Sequence, residues 1–242
     1  SKKLEPYDIR LHIGFMRNVI IRVGEKTNEV MVNFVTTRED LNALSPLVEI
    51  LIKKFPSISS VVNNVTSRKS GVSYGEKQIV LYGEGYLVEA LGDYEFMVSA
   101  DSFFQTNTKQ AIKLYDIILE ESNFTGEEIV YDLFCGTGSI AIYISKHVKM
   151  VYGFELIMSA VQNAMQNAIR NEVKNVWFFS GNLQNLFREN LEAKSLELPD
   201  VIILDPPRAG LHCKTIDDII EKSPSRIIYV SCNPATQARD VK

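Results

Sequence analysis

The 242-residue sequence predicts an α/β protein in two parts: a smaller α+β domain over residues 1–100, then a doubly wound parallel sheet over residues 101–242. Three observations carry this. The first hundred residues read as short β-branched strands around one helical stretch. After DSFFQTN, Asp101 to Asn107, apolar strand candidates alternate with amphipathic helices, as a parallel sheet covered on both faces requires. The first of those strands then runs into a glycine-rich turn.

Taken in order, Phe15 to Val23 and Glu29 to Thr36 have strand character and flank the polar VGEKTN turn, so they pair as a hairpin. LNALSPLVEILIKKFP switches to helical spacing, which places Leu47, Ile50, Leu51 and Lys54 on or near one face; Pro56 ends it. Gln78 to Tyr82 and Glu95 to Ala100 return to strand alternation. Thr106 or Asn107 caps a helix running through Ile112, Tyr115 and Ile118 to Glu121. The parallel strands fall at Ile129 to Phe134, Met150 to Glu155, Val176 to Phe179, Asp200 to Asp205 and Arg226 to Ser231. Helices near Ser139 to Lys146, Ser159 to Arg170, Leu183 to Glu192 and Lys214 to Lys222 fill the intervals. The ligand site of such a sheet lies at the carboxyl ends of its strands.

Composition excludes several classes. With 45% hydrophobic and 23% charged residues the chain buries a real core without staples. A formal net charge of -4 does not suit a protein that grips nucleic acid over its whole surface. A local patch is left: Lys2, Lys3, Arg10, Arg17, Arg22 and Lys26 outnumber Glu5, Asp8 and Glu25 near the start. Cys135, Cys213 and Cys232 are too far apart for a CxxC metal pair and odd in number, so neither a metal site nor a disulfide framework is expected. A reducing, cytoplasmic setting fits. No apolar run reaches the length of a membrane span and no signal pattern opens the chain, so neither a membrane span nor export is expected, and no protein partner is evident in the sequence. The missing initial Met and the stop at Lys242 read as a fragment.

Chemistry concentrates in the second part. DLFCGTGSIA holds Gly136, Gly138 and Ala141 in a G-x-G-x-x-A arrangement, which lets the backbone turn sharply against a ligand before a helix N-terminus. Further on, Glu155 closes VYGFE, where a carboxylate accepts both hydroxyls of a ribose. A nicotinamide dehydrogenase presents the same loop and acid. Asp132, just before the glycines, tips the choice: it is a poor neighbour for a pyrophosphate and a good acceptor for a cation. S-adenosylmethionine carries a sulfonium and an amino group. Asn182, in FFSGNLQN, suits an adenine edge or a helix N-cap.

The fourth strand ends in Asp205, and Pro206 and Pro207 stiffen the loop that follows by removing two backbone donors. A polar residue before two prolines suits a pocket for a planar, amide-like group such as a nucleobase, and Arg208 serves a phosphate or positions the loop. Cys232 ends the next strand, and a helix starts near Ala235, a setting that favours a reactive thiolate. Carbon 5 of a pyrimidine is too weak a nucleophile to take a methyl group unaided. Addition of a thiolate at carbon 6 makes it an enolate carbon, and a base then removes the carbon 5 proton.

In this order, DSFFQTN, DLFCGTG, FEL, LDPPRAG and VSCNPAT resemble the S-adenosylmethionine-dependent RNA uracil-C5 methyltransferases, the bacterial family that makes 5-methyluridine in ribosomal and transfer RNA. The resemblance runs from about Tyr7 to the last residue. It implies a Rossmann-like methyltransferase sheet whose last two strands lie beyond Lys242, S-adenosylmethionine as methyl donor, and ribosomal or transfer RNA as partner. By the same resemblance Cys232 is the nucleophile, and Gln105, Phe134, Ser139, Glu155, Asn182 and Asp205 hold the donor. The general base is a glutamate in a motif beyond Lys242. An oligonucleotide-binding barrel and a four-cysteine iron-sulfur site, carried by many and by some members, are not seen in this sequence. The family often has an acid where Asn182 stands. Two other readings are an amino-group methyltransferase acting on an RNA purine, which would need the DPP loop and no cysteine, and a noncatalytic RNA-binding remnant.

Overall fold

The computed structural model describes residues 4–69, 75–183 and 196–242. The chain forms two compact units, Ser1–Ala90 with Met97–Ser102 and Leu91–Phe96 with Phe103–Lys242.

In the first unit, β1 (Met16–Val23) and β2 (Val30–Thr36) form the expected antiparallel hairpin. Helix α1 (Leu41–Lys54) then crosses to β3 (Ile58–Val65), which lies parallel to β2 and antiparallel to β4 (Lys77–Tyr82), giving the order β1-β2-β3-β4. Asp40 starts α1 by accepting the N–H of Ala43 at 3.0 Å. The helix buries Leu44 and Val48 against Phe15, Val32, Phe34, Ile58 and Val61. Ile50, expected on that face, is 60% exposed, because the buried stripe runs through Leu44 and Val48 instead.

Strand β3 was not foreseen. Its sequence ISSVVNNV breaks the apolar alternation twice, yet Ser60, Asn63 and Asn64 are buried. Hydrogen bonds make that tolerable. Asn63 Nδ2 donates to Phe34 O and to Thr36 Oγ1, both at 2.9 Å, and Asn64 Nδ2 donates to Asn33 Oδ1 at 3.2 Å and Asp101 Oδ1 at 2.9 Å. Strands β5 (Tyr86–Leu91), also unforeseen, and β6 (Tyr94–Ser99) form a two-stranded sheet. Of the basic residues near the start, Lys2 and Lys3 lie outside the described residues. Arg22 turns inward, its Nη2 reaching Ala100 O at 3.4 Å, so the patch is smaller than its charge count.

The second unit opens with α2 (Thr108–Ser122), capped by Asn107, whose side chain accepts the N–H of Gln110 at 3.1 Å. Strands β7 (Ile129–Leu133), β8 (Met150–Glu155), β9 (Val176–Ser180), β10 (Val201–Leu204) and β11 (Arg226–Tyr229) form one parallel sheet in the order β11-β10-β7-β8-β9. Helices α3 (Ser139–Ile144), α4 (Met158–Arg170), α5 (Cys213–Lys222) and α6 (Pro234–Asp240) lie among them, and a 3-10 turn over Ser145–His147 follows α3. The helix expected over Leu183 to Glu192 lies, beyond Leu183, outside the described residues. The doubly wound α/β class is therefore correct. From β7 the chain winds outward through β8 to β9, then returns to the other side for β10 and β11. The reversal falls between β7 and β10, where such sheets open a crevice.

Two strands stop earlier than expected from the sequence. Pro206 and Pro207 have no N–H to donate, so β10 ends at Leu204, with one last, long bond from Asp205 N to Leu133 O at 3.4 Å. β11 stops at Tyr229, with Val230 N donating to Leu204 O at 2.8 Å. Tyr131, Leu133, Phe154, Ile202 and Leu204 fill the core beneath the rim. No helix among the described residues is long and apolar enough to cross a membrane.

Candidate cofactor and catalytic site

The carboxyl ends of all five parallel strands carry a residue singled out from the sequence. Across the sheet the order is Cys232 after β11, Asp205 after β10, Phe134 after β7, Glu155 at the end of β8 and Asn182 after β9. Neighbouring strands stand roughly 4.8 Å apart. Asp205 therefore lies between the glycine turn and the Cys232 loop, and Asn182 lies at the edge farthest from Cys232.

The glycine turn is built by close packing. After β7, Phe134 takes φ 67°, rare for a bulky side chain. Its N–H and that of Cys135 both donate to Phe154 O, at 2.9 and 3.1 Å. Gly138, at φ 78°, begins α3. A Cβ there would come within 2.6 Å of Phe178 Cζ and 3.0 Å of Ala164 Cβ, so no other residue fits without displacement. Gly153, within β8, lies equally close, with Phe178 Cδ1 2.5 Å from its would-be Cβ. Gly136 differs: at φ 54° it has nothing within 4 Å of that position. Gly136 also lines a cleft with Phe134 and Ser139.

Electrostatics separates the three acids at the rim. Glu155 Oε2 accepts the N–H of Gly136 at 3.1 Å and Oε1 accepts that of Ile157 at 3.0 Å. A carboxylate has about four acceptor positions, which leaves room for a ribose. Burial pushes the Asp205 carboxyl up to about 6. Asp132 departs from its expected role. It is wholly buried, Oδ2 accepts the N–H of Ala141 at 3.1 Å, and Oδ1 has no hydrogen-bond partner. Burial first, then the neighbouring Asp205 and Glu155, holds its carboxyl well above the usual range. Asp132 thus serves the first turn of α3, and the acid that reaches the cleft is Asp205.

Gln105, Phe134, Ser139 and Asp205 line one cleft together with Phe104, Tyr115 and Gly136. Its volume of about 30 Å³ suits a group the size of an ammonium, on the order of one water. Ser139 Oγ lies 2.8 Å from the Tyr115 hydroxyl. Nothing local in the sequence marks Tyr115, whose partner is 24 residues away. Asn182 lines a second cavity of about 140 Å³ with Phe134, Leu156, Leu183, Gly210 and His212. Phe134 borders both. Glu155 and Cys232 line neither; Glu155 is half-buried and Cys232 is exposed.

The Cys232 loop and the Asp205 loop are nevertheless joined. Asn233 accepts the N–H of Ala235 at 3.2 Å, capping α6, and its Nδ2 donates to Arg208 O at 3.2 Å. Thr236 Oγ1 donates to the same carbonyl at 3.4 Å. The Arg208 side chain is exposed, so the residue positions the loop through its backbone. Two acids, an open glycine backbone and an aromatic face suit a ligand that combines a cation, a ribose and a planar base.

A family model described as tRNA (Uracil-5-)-methyltransferase matches residues 72–242, a stretch that includes every rim residue named above. The chain belongs to the tRNA (uracil-5-)-methyltransferase family. A relative from Chlorobaculum tepidum, named as an uncharacterized RNA methyltransferase, is 44% identical over 243 residues, covering 100% of this chain and 50% of its own. Another uncharacterized RNA methyltransferase, from Halalkalibacterium halodurans, is 39% identical over 240 residues, covering 98% and 51%. The crystal structure of Pyrococcus abyssi tRNA (uracil-54, C5)-methyltransferase in complex with S-adenosyl-L-homocysteine matches with a TM-score of 0.79 at 34% identity, covering 99% of this chain and 56% of that one. The parallel sheet is thus of the Rossmann-like methyltransferase type. The chain spans about half the length of the curated family members it matches.

Proposed function

We propose that this protein transfers a methyl group from S-adenosylmethionine to carbon 5 of a uridine in structured RNA, ribosomal or transfer, with Cys232 as the nucleophile. The observation that carries the reading is the placement of an exposed thiol one strand away from Asp205, on a loop hydrogen-bonded to the Asp205 loop.

S-adenosylmethionine, when bound, supplies an electrophilic methyl group on a sulfonium. Glu155 holds the ribose hydroxyls, Asn182 and Phe134 meet the adenine side, and Asp205 with Ser139 and Gln105 holds the cationic amino-acid end. The target base stacks in its RNA until it is turned out or already unpaired, because neither sulfur nor methyl donor reaches carbon 5 inside a stacked helix. The Cys232 thiolate then forms a bond to carbon 6, and the displaced π electrons pass through carbon 5 to the carbonyl oxygen as an enolate. The enolate electrons return through carbon 5, which bonds to the methyl carbon as the methyl–sulfonium bond breaks, so that the carbonyl re-forms and the leaving group is the neutral thioether S-adenosylhomocysteine. A base removes the carbon 5 proton, the carbon 5–carbon 6 double bond re-forms, and the sulfur leaves as thiolate.

The test is to incubate the full-length protein with S-adenosylmethionine and RNA containing 5-fluorouridine, whose fluorine no base can remove as a proton. An RNA adduct that survives denaturation and disappears in Cys232→Ala is the expected result. Methyl transfer by Cys232→Ala would instead point to amino-group chemistry and overturn the reading.

A further inference from the structure

We propose that Asp240 is a positioning residue: it clamps the loop after Asp205 to the helix after Cys232, so that the acid and the sulfur keep a fixed separation at the rim. The proposal rests on the reading above, in which Cys232 attacks the base beside a donor held by Asp205.

Asp240 ends a short helix whose other residues are exposed or half-buried, yet its own side chain is only 1% exposed. Its Oδ2 accepts the backbone N–H of Leu211 and the hydroxyl of Tyr229, both at 2.7 Å. Its Oδ1 meets Arg239 Nη2 at 2.6 Å and Nε at 2.8 Å, and Nη2 continues to Ala209 O at 2.9 Å. One carboxylate therefore ties the strand that leads to Cys232, the helix that follows it and the loop that follows Asp205.

The loop is shaped to receive this clamp. Gly210 takes φ 79°, and a Cβ there would lie 2.5 Å from both Arg239 Nη2 and Asp240 Oδ2. Pro206 and Pro207 give the loop no amide donors, so Leu211 N–H is one of the few backbone groups through which it can be held. Fixing reacting groups before substrate arrives is worth orders of magnitude in rate, and displacements near 1 Å forfeit much of it. A carboxylate that touches neither donor nor base acts on the rate by this route alone.

The experiment uses the full-length protein and three readouts: affinity for S-adenosylhomocysteine, the rate of adduct formation with 5-fluorouridine RNA, and hydrogen exchange over residues 208–212. Asp240→Asn should slow adduct formation at least tenfold, change cofactor affinity less than threefold, and raise exchange over 208–212. Tyr229→Phe, which removes the 2.7 Å hydrogen bond to the same carboxylate without altering a charge, should give the same split, and it keeps the proposal testable if Asp240→Asn fails to fold. An adduct rate within twofold of the unaltered protein, or an equal loss of affinity and rate with a lowered melting temperature, overturns the clamp. If the unaltered protein forms no adduct, the uridine reading fails; unchanged exchange in both variants then overturns the clamp, and raised exchange supports it.

Discussion

Glu155 accepts the N–H of Gly136 at 3.1 Å, which joins the end of β8 to the turn that follows β7. Its other oxygen takes the N–H of Ile157. Replacing Glu155 with Gln removes the charge and turns an NH₂ group toward one of these two donors. Hydrogen bonds to charged groups contribute about 1.5–3 kcal/mol, so affinity for S-adenosylhomocysteine should fall roughly ten- to hundredfold. Titration calorimetry checks this, and an affinity within twofold would remove Glu155 from the site.

Gly138→Ala should unfold the second unit more easily. The new methyl collides with Phe178 and Ala164, and the backbone stays at φ 78°. Overpacking costs about 1–3 kcal/mol and a left-handed alanine about 1–2 kcal/mol. A loss of roughly 2–5 kcal/mol in urea-induced unfolding is expected. A loss below 0.5 kcal/mol would mean that the turn relaxes freely.

Asp205, raised by burial to about 6, gives two opposite pH trends. The folded chain keeps a proton there that the unfolded chain has already released at its ordinary value of 3.8, so this group's contribution to stability declines as pH rises toward and through about 6. Binding of a cationic amino group goes the other way, because it needs the ionised carboxylate. Affinity for S-adenosylhomocysteine should climb between pH 5 and about 7 and then level off. In Asp205→Asn the profile should be flat; an unchanged profile assigns the dependence to another group.

Tyr115→Phe removes the 2.8 Å contact with Ser139 Oγ. The lost hydrogen bond is worth about 1 kcal/mol, enough to raise KM for S-adenosylmethionine several-fold. kcat should stay within twofold, because the proposed reading places both groups with the donor's amino-acid end. A fall in kcat with KM unchanged would contradict a role confined to holding the donor.

Much of this architecture was legible because parallel strands buried on both faces need near-continuous apolar runs, and IVYDLF, broken only by Asp132, MVYGF and VIIL have them. The rim followed from that, since strand ends are where prolines, glycines and acids interrupt those runs. Strand β3 was hidden for the converse reason: Asn63 and Asn64 look like loop residues, and only partners from β2 and Asp101 make them acceptable inside. Asp132 misled because sequence position shows that an acid stands near a ligand loop but not which way it points. Tyr115 meets Ser139 from 24 residues away and Asp240 meets Leu211 from 29, and no local pattern announces such pairs.

Gly136 differs from its neighbours in what it would tolerate. A methyl group there touches no part of the folded chain, so alanine would meet only the penalty of its backbone angle. On the reading proposed above, the added carbon would instead occupy space that the bound donor needs. A single atom at this position would act as a steric plug, yielding a folded protein that is blind to its methyl donor, and thus a reference against which RNA binding alone is measured.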